Sequence, residues 1–208
     1  MKPLGEIIIL SGPSCSGKTS IANALIPLLD KPFLHADADF LKEMCPPPFP
    51  PERGSEFDRP SFVPALYASI PAIYRALALY GNNIIVTDVI RPLQAKIYAE
   101  QLRGLDAAFV SVTCEVDELE SRERARGNRR LGNASQQSSL LTLLNIFDLQ
   151  VDTTNNTPEA SAAEILAYHR SHAPATALFR IDATEPTAWR DLTDEMDRVV
   201  YDTYLSRQ

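Results

Sequence analysis

Short runs of aliphatic and β-branched residues recur along the chain, separated by longer stretches of helical composition. Glu6 to Leu10, with Ile7-Ile8-Ile9-Leu10 at its centre, Asn83-Ile84-Ile85-Val86-Thr87-Asp88 and Ala107 to Thr113 are continuous rather than alternating. That pattern belongs to strands buried on both faces. Pro32-Phe33-Leu34-His35 and Leu149-Gln150-Val151-Asp152 read as two shorter strands. Helices are expected over Lys18 to Leu29, Phe62 to Tyr80, Pro92 to Leu102, Glu118 to Arg126 with Asp117 as its cap, Gln137 to Phe147, and Pro158 to Tyr168. Pro64 suits a first helical turn, Pro71 falls mid-helix and Gly81 supplies a stop. The tail reads as a strand, Leu178 to Ile181, and a helix, Thr187 to Tyr204. Strands alternating with helices imply an α/β fold, a parallel sheet of about five strands with helices on both faces. Ligands of such sheets bind outside the carboxyl ends of the strands.

Composition narrows the classes. A chain of 208 residues with 45% hydrophobic content fits one compact domain. The expected organisation is a core over 1–172 and an extension over 173–208 packed on it, as a monomer or a homodimer. A net charge of −7 speaks against a nucleic-acid partner. Cys15, Cys45 and Cys114 form no metal spacing and read as reduced thiols of a cytoplasmic protein. The apolar run Ile7 to Leu10 is too short for a signal peptide or a membrane span. Pro46-Pro47-Pro48-Phe49-Pro50-Pro51 opens a long loop over about 45–60, a candidate substrate loop.

The most informative motif follows the first strand. Gly12, Gly17, Lys18 and Thr19 complete G-x-x-x-x-G-K-[ST], between a strand and a helix. In that setting the residues Gly12, Pro13, Ser14, Cys15, Ser16, Gly17, Lys18, Thr19 and Ser20 form a loop whose N–H groups and helix N-terminus face phosphate. Lys18 would reach the β- and γ-phosphates and the Thr19 hydroxyl would ligate Mg²⁺. The plain alternative is a glycine turn with a surface lysine.

Carboxylates cluster at the predicted strand ends. Asp39 lies 21 residues beyond Lys18 and is the candidate base for an acceptor hydroxyl, with a helix cap as the alternative. Asp37 reads as a holder of metal-bound water or substrate, or as a solvated loop residue. Asp88 closes an apolar strand, the usual place for a carboxylate that holds Mg²⁺ through water, or for an acceptor of substrate hydroxyls. Arg122, Arg124, Arg126, Arg129 and Arg130 are dense for an acidic chain. Arg122 and Arg126 share a helix face, and guanidinium groups fork onto phosphate oxygens. Arg126 and Arg129 are the candidate lid arginines over about 126–136, and Arg124 reads as a solvated partner of the nearby Glu118, Glu120 and Glu123. His169 and His172 lack companions for a metal site, and His35 is placed to touch substrate or simply to pack.

The chain resembles the chloramphenicol phosphotransferases. The likeness runs from about Glu6 to His172: IIILSGPSCSGKTSI, Pro32-Phe33-Leu34 with Asp39 seven residues after the proline, Glu56-Phe57-Asp58, IIVTDV, RERARGNRRLGNASQQ, and Val151-Asp152-Thr153-Thr154. The resemblance implies the P-loop kinase fold, ATP and Mg²⁺ as cofactors, Asp39 as general base, Lys18 and Thr19 on ATP-Mg²⁺, Arg126 and Arg129 in the lid, and phosphorylation of an antibiotic hydroxyl. The Asp37-x-Asp39 pair also looks like that of shikimate-kinase-type enzymes. Phe49, Phe57, Phe62 and Tyr67 suit a bulky, partly apolar acceptor. A metabolic kinase for a shikimate-like acid, sugar or nucleoside is the nearest rival, and a nucleotide switch without acceptor chemistry is the alternative of another class.

Overall fold

All five residues of β1 (Ile7–Ser11) are buried, as a continuous apolar run requires. In the computed structural model, which describes residues 3–44, 62–127, 131–171, 173–181 and 193–208, this strand is the centre of the sheet. β1 pairs in parallel with β3 (Asn83–Asp88) on one side and β4 (Ala107–Thr113) on the other. β2 (Phe33–Asp37) extends the sheet beyond β3, and β5 (Leu149–Asp152) beyond β4, both in parallel. The order is therefore β2-β3-β1-β4-β5. The register sets Ser11 beside Asp88 and Ser111, and Asp37 beside Thr87, so that the polar ends of four strands share one edge.

The period-two alternation hidden in the apolar runs divides the core. Ile7, Ile9, Ile84, Val86, Ala107 and Phe109 pack against α3 (Phe62–Leu79), α4 (Pro92–Gln101) and α8 (Ala177–Ile181). Ile8, Leu10, Ile85, Val110, Val112 and Val151 point the other way, to α1 (Lys18–Leu25) and α7 (Pro158–Arg170). Of the described helices, α3 alone has the length and hydropathy to cross a membrane. Its Ile70, Tyr74 and Ala78 belong to the core of this domain.

Several boundaries differ from the sequence expectation. The first helix stops at Leu25 and tightens into a 3₁₀ turn, Ile26–Leu28, where Pro27 has no N–H for the α-ladder. α2 (Ala38–Lys42) starts directly after β2. α5 (Val116–Arg126) takes Glu115 as its N-cap, so Asp117 sits in the first turn instead. α6 (Asn133–Leu141) begins and ends earlier than the expected Gln137 to Phe147. The buried Glu123 carboxylate caps its start, accepting from Gly132 N at 2.6 Å and Ala134 N at 3.1 Å. Leu178 to Ile181 is a helix, not a strand. Ala177, Leu178 and Ile181 bury one helical face, and Asp148 caps it by accepting from Thr176 N and Ala177 N, both at 2.9 Å. α9 (Glu195–Leu205) starts later than the expected Thr187, which lies outside the described residues, as do the loop 45–60, His172, Arg129 and Arg130.

The last helix reaches the middle of the chain through one carboxylate. Asp197, fully buried, accepts from Leu93 N at 3.0 Å and Gln94 N at 3.1 Å at the start of α4. Asp194 caps α9 through Asp197 N at 2.8 Å and lies 3.2 Å from Arg91 Nε. Removing the carboxylate in Asp197→Ala strands two buried donors and is expected to cost about 2 kcal/mol in urea unfolding. Burial raises Asp197 from 3.8 to about 6, against the pull of the Leu93 and Gln94 N–H groups and Arg91. Its contribution is thus complete below the unfolded pKa and declines as pH rises through 6. Wild-type stability relative to Asp197→Asn is expected to fall by roughly 2–3 kcal/mol between pH 4 and 7, read from paired denaturation curves.

Candidate active site

The loop after β1 must bring its backbone close to the neighbouring strands. A Cβ on Gly12 would lie 2.3 Å from the Val112 carbonyl oxygen and 2.8 Å from Ser16 Oγ, so glycine is required there. Gly12 N donates to the Asp88 carbonyl at 3.3 Å, which fixes the loop to β3. Cys15 adopts φ 65° and Gly17 φ 86°, the left-handed turns that point successive N–H groups inward. α1 then begins at Lys18 with no side-chain cap, leaving its N-terminal donors open. Lys18 Nζ donates to the carbonyls of Gly12 at 2.8 Å and Pro13 at 2.7 Å.

One cavity of about 430 Å³ lies over this loop. Its wall includes Ser14, Cys15, Gly17 to Ser20, Asp37, Asp39, Asp88, Arg122 and Arg126, so nearly every predicted site residue that is described meets there. Pro13 instead borders a second cavity, of about 360 Å³, with Gly12 and Ser138. Ser16 is fully buried beneath the loop. Phe57 and Arg129 lie outside the described residues.

The carboxylates divide their work. Asp37 is the N-cap of α2: its Oδ1 accepts from Asp39 N at 2.9 Å, and its Oδ2 accepts from Thr19 Oγ1 at 3.3 Å. The cap considered for Asp39 is therefore supplied by Asp37, and Asp39 turns into the cavity from the first turn of α2. Asp88 is held twice, by Val89 N on Oδ1 at 2.7 Å and by the Tyr98 hydroxyl on Oδ2 at 2.7 Å. Burial, reinforced by Asp88, raises the Tyr98 hydroxyl well above its ordinary pKa and keeps it a donor. His35 spends its Nε2 on Thr87 Oγ1 at 3.0 Å.

The arginines also separate. Arg122 pairs with Glu118 Oε1 at 2.8 Å and donates to the Thr153 carbonyl at 2.6 Å and the Cys15 carbonyl at 3.5 Å. Thr153 sits in the V-D-T-T stretch, whose geometry is a clamp: its hydroxyl lies 3.0 Å from the Ser16 carbonyl, while Asp152 takes the Thr154 N–H at 2.7 Å. Arg124 lies 3.7 Å from Glu120, the solvated pair expected of it. Glu123, expected as another surface partner, is the buried cap of α6 described above. Tyr67, expected on the acceptor side, lines the cavity, whereas Tyr98, Arg91, Asn156 and Gln137 are site residues that sequence reasoning missed. Gln137 stood in a recognised motif, but nothing in the sequence marked Tyr98.

The model of the family described as chloramphenicol phosphotransferase-like protein matches residues 5–170. The chain belongs to the chloramphenicol phosphotransferase-like family. With that family it is a P-loop kinase. Solved structures share the fold at low identity. The APS kinase of Mycobacterium tuberculosis, solved with AMPPNP and APS, is 17% identical with a TM-score of 0.58, covering 81% of this chain and 99% of that one. Shikimate kinase from Acinetobacter baumannii, solved with shikimate, is 20% identical with a TM-score of 0.58, covering 80% and 94%. The tunicamycin resistance protein of Deinococcus radiodurans is 18% identical with a TM-score of 0.53, covering 82% and 98%. A search of curated proteins gives no match.

Burial lowers the Lys18 ammonium of this family member from 10.5 to about 8, with Asp88, Asp37 and Asp39 pulling it partly back. Only the protonated form attracts phosphate. Affinity for MgAMPPNP is therefore expected to be level below pH 8 and to fall by up to tenfold per pH unit above it, measured by titration calorimetry. A profile that stays level to pH 9.5 would remove the ammonium from the binding site.

Proposed function

We propose that this kinase transfers the γ-phosphoryl group of ATP to a hydroxyl of a bulky, partly apolar small molecule of the antibiotic type, in the cytoplasm. The observation that carries the reading is that one cavity holds both an uncapped helix N-terminus with Lys18 and, beside it, the carboxylates Asp37 and Asp39. A binding switch has no use for the second half of that arrangement.

The open donors of the loop and α1 suit the inner phosphates, and the Lys18 charge suits the outer ones. The nucleoside end fits the side lined by Thr153, Asn156 and Pro158. Mg²⁺ also fits the residues present. No group of three or more His, Cys, Asp or Glu among the described residues is built to hold a cation alone, but the Thr19 hydroxyl, Asp37 and Asp88 stand where an ion shared with phosphates and water needs oxygen ligands. When bound, the ion supplies charge neutralisation at the phosphates.

Asp39 orients the acceptor hydroxyl in line with the γ-phosphorus and takes its proton. The new bond joins the acceptor oxygen to phosphorus as the bond to the β,γ-bridging oxygen breaks, and ADP leaves with that electron pair. Tyr98 keeps Asp88 oriented, and Arg122 ties the loop to α5. Arg126, with Arg129 in the role that the resemblance implies, closes over the phosphates. Residues 1–172 carry this chemistry and 173–208 brace it. Tyr67 gives the acceptor side an aromatic wall, which suits a bulky, partly apolar acceptor better than a small polar metabolite.

Coupled ADP release, screened across chloramphenicol and other hydroxylated antibiotics, nucleosides, sugars and shikimate, tests the reading. A turnover stimulated by an antibiotic is the expected result; stimulation by a metabolite alone selects the rival kinase, and none at all selects a switch. With the acceptor in hand, Asp39→Asn is expected to lower kcat by about 10²–10⁴ while leaving MgAMPPNP affinity within about twofold. Full turnover in that variant would remove Asp39 from the chemistry.

A further inference from the structure

Two side chains from the α5–α6 corner seize consecutive residues of the phosphate loop. Arg122 of α5 reaches the Cys15 carbonyl at 3.5 Å, and Gln137 of α6 accepts the Ser14 N–H on Oε1 at 2.7 Å. These contacts land where the loop turns over, at the left-handed Cys15. The Ser14–Gln137 bond also fixes the sense of the carboxamide. Oε1 must face the donor, so Nε2 and its two protons take the other side. Gln137 and Ser14 both line the 430 Å³ cavity, and Gln137 makes no second hydrogen bond among the described residues.

The corner that carries Gln137 is fixed from below. The fully buried Glu123 carboxylate binds Gly132 N and Ala134 N, which sets the start of α6, and Gln137 follows about one turn later. Arg122, next to Glu123 in sequence, is anchored on Thr153. The carboxamide is thus carried by a braced helix rather than by a free loop.

Ser14 and the helix start serve different parts of the phosphate chain. The N–H groups at the beginning of α1 face the inner phosphates. Ser14 lies at the opposite end of the loop, and its own N–H is taken up by Gln137. In exchange the carboxamide keeps two N–H donors on a residue that lines the cavity. We infer that Gln137 is a terminal-phosphate-binding residue, its Nε2 donating to a γ-phosphate oxygen, so that the α5–α6 corner distinguishes a nucleoside triphosphate from a diphosphate. This inference rests on the nucleotide reading given above, and it adds a residue that contacts the group being transferred.

The test is titration calorimetry on the full chain with MgAMPPNP and MgADP, for wild type, Gln137→Ala and Gln137→Glu, with melting temperature as the check on folding. Gln137→Ala is expected to weaken MgAMPPNP about tenfold or more and MgADP by less than about twofold. Gln137→Glu keeps an acceptor for Ser14 N–H but replaces the donors with a negative charge, and is expected to weaken MgAMPPNP further than Ala does, again sparing MgADP. Should the alanine variant fold poorly, the glutamate variant decides. Equal losses for both nucleotides would reduce Gln137 to a brace of the loop and overturn the inference, as would unchanged affinity for both. Wild type binding neither nucleotide would overturn the nucleotide reading itself, a result distinct from either of these.

Discussion

A half-buried ammonium with no ion pair among the described residues organises the site. Among the described residues Lys18 Nζ is held by the carbonyls of Gly12 and Pro13, which solvate a charge without neutralising it. The nearby Asp88, Asp37 and Asp39 offset part of the burial penalty but not all of it, which is why Lys18 falls to about 8. A polyanion entering this cavity supplies what the protein withholds. The parallel sheet makes the arrangement possible, because β1, β2 and β3 deliver the loop and all three carboxylates to the same edge.

The helix N-termini tell the same story from the other side. Carboxylates cap α2 through Asp37, α4 through Asp197, α6 through Glu123, α8 through Asp148 and α9 through Asp194. Each satisfies orphan N–H groups and complements the positive end of the helix dipole. α1 receives no side-chain cap. α5 has none either, but its first turn carries Asp117 and Glu118, whereas the first turn of α1 holds no acidic residue and opens on the glycine-rich loop, where phosphate is the complementary group.

Much of the fold could be read from the chain because the strands in this sheet are buried on both faces and therefore spell themselves as uninterrupted apolar runs. The order strand, Gly12 to Thr19, helix needed no tertiary information. The errors fell where a short apolar run fits two periods or where a partner distant in sequence decides. Leu178 to Ile181 fits a strand until Asp148 caps it as a helix. Glu123 belongs by its neighbours to a charged surface, yet it is fully buried because α6 folds back over it. The helix cap considered for Asp39 falls to Asp37, two residues earlier, because the Asp39 N–H donates to the Asp37 carboxylate. Tyr98 acts on Asp88 from another element, and no local pattern announces such a contact.

Acceptor choice has to be written away from the phosphate loop, since solved kinases of this fold bind acceptors as unlike as APS and shikimate. In this chain one wall of the cavity is formed by Tyr67 from α3 and by Val89 and Arg91 ahead of α4. Those elements are joined by α9, through Ala68, Ile97, Val200 and Tyr204, and through Asp194 beside Arg91. α9 lies beyond residue 170, where the family match ends. With Asp194 beside it, the Arg91 charge is already met, so Asp37, Asp39 and Asp88 set the field at that end of the cavity. An anionic acceptor would enter against that field, whereas an uncharged or cationic one would not. The C-terminal helix thereby bears on that wall without lining the cavity, by holding Arg91 through Asp194.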